Sequence, residues 1–302
     1  ALISNTTGDG NNAIGDDALQ ANTTAGYNTA IGHHSLYANT TGENLAAVGS
    51  NALLSNTTGA HNTAVGSDAL QQNTTGNDNT SVGSDSLMSN VGGARNVAIG
   101  RAAMESNTEG NYNIGIGYVA LNSNTTGNHN VAVGYDALKA NTDATNNVVV
   151  GSYAGDEITT GSDNTGVGYN ALSDVTTGNH NCALGHLAGD AITTGSDHVA
   201  IGREALTKAT DGTGNTAVGR SAGEDITTGG NNLCLGQNAG RSASPSGQLN
   251  THNNIIVLGN NSITDIYCAD TSISSSDKRD KTDVTDFTNG LNWINQLKPI
   301  TY

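Results

Sequence analysis

Tyr118, Tyr135 and Tyr169 each directly follow a glycine, at Gly117, Gly134 and Gly168. Arg101, Arg203, Arg220, His33 and His186 hold the same place after Gly100, Gly202, Gly219, Gly32 and Gly185. These glycines are separated by 17 residues or multiples of 17, so the side chains line up in one surface column if each step is one layer of a stack. Tyr118 would then stack over Tyr135, and a ladder of aromatic and guanidinium groups suits contact with a sugar or another receptor. The same residues can instead form a solvated or interchain ladder that steadies the stack, and this reading is favoured.

Other reactive residue types are sparse. His61, His129 and His180 share one corner of the repeat but lie three or four layers apart, too far to ligate one metal within a chain. An axial site shared by three chains stays open; no metal or cofactor is expected within the chain. Asp17, Asp68, Asp85 and Asp136 form an intermittent acidic column without the pattern of a calcium-binding nonapeptide, so solvation is expected. Recurrent Thr-Thr pairs resemble an ice-binding array, but Gly92, Glu109, Asp143 and Asp211 interrupt it. Glycan hydrolysis needs two carboxylates across a groove, and here the acids scatter over the corners, so the repeat region is not expected to be an enzyme. Cys182, Cys234 and Cys268 are an odd set, and the first two lie three layers apart, roughly 14 Å and beyond disulfide reach. They are expected to be buried free thiols.

The element that must position all of these is the repeat itself. Gly15 begins a series of fourteen glycines, each 17 residues after the last, that ends at Gly236 without an insertion or deletion. With the glycine as position zero, −1 is always Ile, Val or Leu, −2 is nearly always Ala, Ser, Gly or Cys, and −3 is mostly Thr or Val. That alternation reads as a strand. Position +3 is always Ala or Ser and +4 is usually Leu, which suggests a second short strand, and Asn-Thr-Thr-Gly at +7 to +10 reads as a turn. Seventeen residues cannot hold a crossover helix between parallel strands. The fold class is therefore all-β, a parallel β-solenoid of 17-residue coils over 1–259, with a loop at 241–252 before a closing coil.

Asn fills −4 in twelve of the fourteen copies, with Leu45 and His198 as exceptions, and stacked coils would join these side chains in a ladder to turn backbone. Where Leu at +4 becomes Gly, at Gly155, Gly189 and Gly223, position +7 changes from Asn to Ile, at Ile158, Ile192 and Ile226, which suggests volume compensation. The branched −1 side chains are expected to fill the coil and the small −2 face to meet a neighbouring chain. A coil this thin is expected to need an oligomer. The net charge of −16 argues against nucleic acid and anionic membranes, and no apolar run is long enough for a membrane helix.

The pattern Asn-x-Ala-[Ile/Val]-Gly-x-x-[Ala/Ser] resembles the head repeat of trimeric autotransporter adhesins of the YadA type over about residues 5–259. The resemblance implies a left-handed parallel β-roll in a side-by-side homotrimer used for attachment. The string from Ile263 to Lys281, with Ser276-Asp-Lys-Arg-Asp-Lys281, is similar to the entry of the peptidase S74 intramolecular chaperone domain of phage tail fibres and tailspikes. That likeness implies a segment that trimerises the fibre and then cuts itself off, with Ser276 and Lys281 as the catalytic pair and the cut at Ser275–Ser276. A Ser hydroxyl is a weak nucleophile until a neutral amine takes its proton, and such a Lys needs a pKa lowered by burial. Residues 260–275 would connect the solenoid to the chaperone start at 276–302, where Phe287, Leu291, Ile294 and Leu297 follow Asp286 with helical spacing ahead of Pro299. The expectation is a homotrimeric virion fibre that acts outside the host on a cell-surface glycan or protein receptor and joins a neighbouring tail protein. The alternative is a cellular trimeric adhesin.

Overall fold

The computed structural model describes residues 1–265. Ala1–Ser262 forms one compact unit. It contains fifteen strands of three residues each, from β1 (Asn12–Ile14) through β8 (Val131–Val133) and β9 (Val148–Val150) to β14 (Leu233–Leu235) and β15 (Ile256–Leu258). They make a single parallel sheet in strict chain order. Every pairing from β1 to β14 is offset by 17 residues, so Ala64 faces Ser81 and Ala200 faces Ala217. The last offset is 23, because Arg241 to Asn250 make extra turns before β15 pairs with β14. At about 4.8 Å per rung the stack is roughly 67 Å long. This is a parallel β-solenoid, as the period implies.

The zero-position glycine is fixed by two constraints. Gly185 has φ +141°, a region closed to L-residues, and a Cβ there would lie 2.7 Å from the carbonyl carbon and oxygen of Gly202 on the next rung. The same geometry recurs at the other members of the series as far as Gly219.

The second strand expected at +3 and +4 does not form; the chain there is turn. Positions +2 and +4 both adopt left-handed backbone, as at Asp17 (φ 53°) and Leu19 (φ 51°), which breaks extended conformation. A left-handed Leu costs about 1–2 kcal/mol. Burial offsets this, because the Leu side chains at Leu19, Leu36, Leu53 and Leu70 are fully buried. Burying one is worth about 1.5–3 kcal/mol.

The two strand faces are also the reverse of expectation. The small −2 residues point into the coil, with Ala30, Ala64 and Ala200 fully buried, whereas the −1 residues face outward, with Ile31, Val65 and Ile99 about 38–40% exposed. The lumen is narrow, so it takes Ala from the strand, Ala or Ser from +3 and Leu from +4, and leaves no room for a branched chain at −2. Val149, and Val257 on the last rung, are the exceptions, and Val149 shows how one fits. A Cβ on Gly155 or Gly166 would lie 3.1 Å from its Cγ1, so two glycines make its space. Gly115 does the same for Met104, and Gly189 for Ile192, whose Cδ1 lies 2.9 Å from where a Cβ would stand. The volume exchange between +4 and +7 is thus a direct contact.

Polar ladders complete the interior. Asn79 donates its backbone N–H to Asn62 Oδ1 at 2.9 Å and its Nδ2 to the Gly93 carbonyl at 2.9 Å, and the −4 column repeats this. His198 takes the place of an Asn. Its Nδ1 accepts from Asn215 N–H at 3.2 Å, so its Nε2 carries the proton donated to the Gly212 carbonyl at 2.7 Å. Burial pushes its pKa down, which keeps the ring neutral. A second Asn ladder runs at +7, where Asn90 Nδ2 donates to Asn73 Oδ1 at 2.7 Å. It ends at Asn141, whose Oδ1 has no partner because Ile158 follows.

The contact between +4 and +7 predicts strong coupling. Ile192→Ala opens a cavity and is expected to lower stability by about 2–5 kcal/mol. Gly189→Leu alone overfills the coil. The double variant is expected to lose clearly less than the sum of the two, measured by denaturant unfolding; simple additivity would refute the contact as the cause.

Candidate functional site

The column after the zero glycine leaves the sheet at the start of the turn segment, so its side chains stand on the outer surface at every rung. Arg101, Tyr118, Tyr135 and Tyr169 are brought together there as expected. The Arg101 guanidinium lies 5.9 Å from the Tyr118 ring centre, and Tyr118 stacks on Tyr135 at 5.3 Å and 12°. Tyr153 occupies the next rung, 5.2 Å from Tyr135 and 6.1 Å from Tyr169, turned 82° from the latter. Tyr169 stacks on His186 at 5.4 Å. The result is an unbroken ladder over six consecutive rungs.

Tyr153 was not part of the predicted column, because it sits one residue later than its neighbours, at +2, with Ser152 at +1. The left-handed backbone at +2 (φ 56°), anchored by Tyr153 N–H to the Tyr135 carbonyl at 2.9 Å, swings its ring back into line. The signal was present as a tyrosine on the rung between Tyr135 and Tyr169.

Arg203 and Arg220 do not extend the ladder. Arg203 donates to Glu204 Oε1 at 2.6 and 3.1 Å, and this contact, with the nearby Arg220, holds the Glu204 carboxyl below its ordinary value. The +2 aspartates serve the turns: Asp68 Oδ1 accepts from Asn51 at 2.9 Å and Gln71 at 2.7 Å. The corner histidines lie far apart, as expected. His61 faces Asp78 at 3.6 Å, His129 stacks on Tyr112, and His180 faces Asp163 and Asp197. Among the described residues no group of three or more His, Cys, Asp or Glu could hold a metal. Cys234 is buried, and burial pushes its thiol to about 11, but Cys182 is partly exposed on the outward strand face, so of the three thiols expected to be buried, the two described here split, one buried and one not. Ser276, Lys281, Cys268, the Ser275–Ser276 bond and the helix expected over 286–297 lie outside the described residues.

Beside the ladder is a cleft of about 340 Å³ between the coils that start at Gly151 and Gly168, lined by Tyr153, Tyr169, Asp156, Asn170 and Asp174. Sequence reasoning singled out none of its polar residues. Asp156 Oδ1 and Asn170 Oδ1 are buried there without a hydrogen-bond donor, and Asp190 Oδ1 is in the same condition one coil on. Burial raises Asp156 to about 6; its own backbone N–H opposes this, Glu157 and Asp174 add to it, and Lys139 opposes it. Burial also raises Asp190 to about 6, with Asp174 adding and the backbone N–H groups of Asp190 and Ala191, then His186, opposing.

Residues 276–302 match the family model described as Chaperone of endosialidase, Peptidase S74. The search of the curated proteins gave no match. The solenoid and this C-terminal match together fit a phage tail fibre with a C-terminal chaperone domain. The chain is thus tail-fibre-like and structural in character.

Folding favours the protonated form of Asp156 and Asp190, since each folded value lies above the ordinary 3.8. Their contribution is full below pH 3.8 and is lost as pH rises through about 6. Asp156→Asn and Asp190→Asn are therefore expected to stabilise the protein at pH 7.5, by on the order of 1 kcal/mol each after solvent screening. The gain should vanish at pH 4. Thermal unfolding at both pH values checks this, and a larger gain in acid would contradict it.

Proposed function

We propose that the chain is a segment of a homotrimeric virion tail fibre. Its solenoid acts as a stiff spacer and presents a surface to a receptor on the host cell, while its C-terminal segment begins a chaperone that directs trimer assembly and then removes itself. The single observation that carries the trimer is the outer face of the sheet. Positions −1 and −3 point outward on all fifteen rungs and hold no charged residue; Asn12 is the most polar. Ile31, Val65, Ile99, Val167, Leu184 and Val218 are each 36–40% exposed in the single chain. A continuous aliphatic strip roughly 67 Å long is far more than a soluble monomer ordinarily leaves in water. Identical strips on sister chains are complementary to one another, and a shared axis would cover all of them at once.

The match that begins at Ser276 supports the virion over the cellular adhesin, because the YadA-like repeat alone fits both. It also supports Ser276 and Lys281 as the self-cleaving pair: the Lys281 amine takes the Ser276 proton as the hydroxyl attacks the Ser275 carbonyl, the Ser275–Ser276 C–N bond breaks with that proton passed to the departing Ser276 nitrogen, and water then hydrolyses the ester left on the Ser276 oxygen to free the Ser275 carboxylate. The solenoid supplies no such chemistry, and receptor contact falls to its surface ladder.

Native mass spectrometry should give three times the single-chain mass. Val133→Asp with Val150→Asp places two carboxylates in the strip without touching the coil interior, and is expected to yield single chains that keep their β signal. A wild-type mass of one chain would end the trimer reading. Separately, intact mass should show a chain ending at Ser275, whereas Ser276→Ala should stay full length; equal masses for the two proteins would remove the self-cleavage.

A further inference from the structure

We propose that the cleft between the Gly151 and Gly168 coils is a saccharide-binding site that takes an extended sugar chain, uncharged or bearing amines. This rests on the attachment role above and names the chemistry of what is attached.

Five buried side-chain atoms among the described residues have no hydrogen-bond partner; two of them, Asp156 Oδ1 and Asn170 Oδ1, fall in the cleft, and a third, Asp190 Oδ1, lies one coil beyond it. Asn141 Oδ1 has an evident cause in the end of its ladder. The other three have no such cause, and they lie on three successive coils. A buried acceptor left without a donor costs about 1–3 kcal/mol. Three in a row describe a surface built to receive donors from outside.

The character of the donor follows from the surroundings. Among the described residues Asp156, Glu157 and Asp174 form no ion pair, and the nearby Lys139 faces Asp136 at 3.5 Å. The cleft therefore repels sialic acid, phosphate and sulfate groups. The two cleft acceptors and Asp190 beyond them lie on successive rungs and span about 10 Å, beyond the reach of a single ammonium group. Hydroxyl groups spaced along a sugar chain meet this demand, since each is both donor and acceptor.

The apolar component comes from the ladder. Tyr153 is 36% exposed and Tyr169 49%, and both line the cleft. A pyranose ring carries an apolar C–H face that covers aromatic surface, while its hydroxyl edge turns to the carboxylates. A cleft of about 340 Å³ lies within the range of small-molecule sites. The regular rungs then set the direction: a sugar chain laid along the rod meets a new tyrosine at Tyr135, Tyr153 and Tyr169 in turn.

The test uses the whole chain against three probes by calorimetry: tetramers of N-acetylglucosamine, of glucosamine and of sialic acid, followed by a broad glycan array. Binding is expected to the uncharged or amino classes and not to the anionic one. Tyr153→Ala is expected to weaken it about tenfold or more. Asp174→Lys, at an exposed position that cannot disturb the coil, should do the same, while Tyr37→Ala on a distant coil should leave it intact. Preference for the anionic probe overturns the proposal, as does binding that survives both Tyr153→Ala and Asp174→Lys. Adhesion to bacterial cells, measured with the same labelled protein, separates the two readings. Adhesion without binding to any uncharged or amino saccharide on the array sinks this site and spares the attachment role. Adhesion to no cell type of a broad panel, with no saccharide bound, sinks both.

Discussion

One steric fact governs this molecule: from Gly15 to Gly219 the carbonyl of the next glycine occupies the place where a side chain would begin. Only glycine can stand there, and only in a backbone conformation closed to other residues. The close approach locks one coil onto the next and fixes the phase of the chain. With that phase fixed, a one-residue slip would turn the Ala column outward and drive the aliphatic column into a lumen too narrow for it. The unbroken 17-residue count is what such a constraint leaves in a sequence.

The interior is a set of exchanges under that fixed contour. Cross-section is constant, so volume gained at one position must be given up at a contacting one. Val149 takes its space from Gly155 and Gly166, and Met104 takes its own from Gly115. Polar atoms obey the same economy. His198 stands in a column of asparagines because its two ring nitrogens supply one acceptor and one donor in the required directions. Leu45 donates its backbone N–H to Asn28 Oδ1 but has no side-chain oxygen with which to pass the ladder on.

Much of this was legible from residue order. The period, the parallel sheet, the Asn column and the link between Gly189 and Ile192 all follow from which residue types recur together. Two features were not. Alternation tells that a strand has two faces but not which one is inside, and the larger side chains were assigned inward on hydrophobicity alone. What decides the matter is the width of the lumen, set by the turn at +1 to +6, and that turn is hidden because nothing in a Leu announces left-handed backbone. The same omission hid Tyr153, since a strand at +2 would have aimed it elsewhere. The unpartnered oxygens of Asp156, Asn170 and Asp190 were beyond reach for another reason. Absence of a donor is a property of the packed surroundings and not of the residue.

The end of the second Asn ladder at Asn141 divides the rod into two materials. Before it, the rungs are tied through two chains of side-chain amides, broken only at Leu45 in the first; after it, one of those chains is replaced by hydrocarbon at Ile158, Val175, Ile192, Ala209 and Ile226. Amide chains hold distance and angle, whereas aliphatic contacts let neighbouring layers shear. In a linear stack, where each layer feels only its neighbours, bending concentrates in the softer stretch. The filament therefore has a stiff section and a compliant one, and the compliant section includes most of the tyrosine cleft.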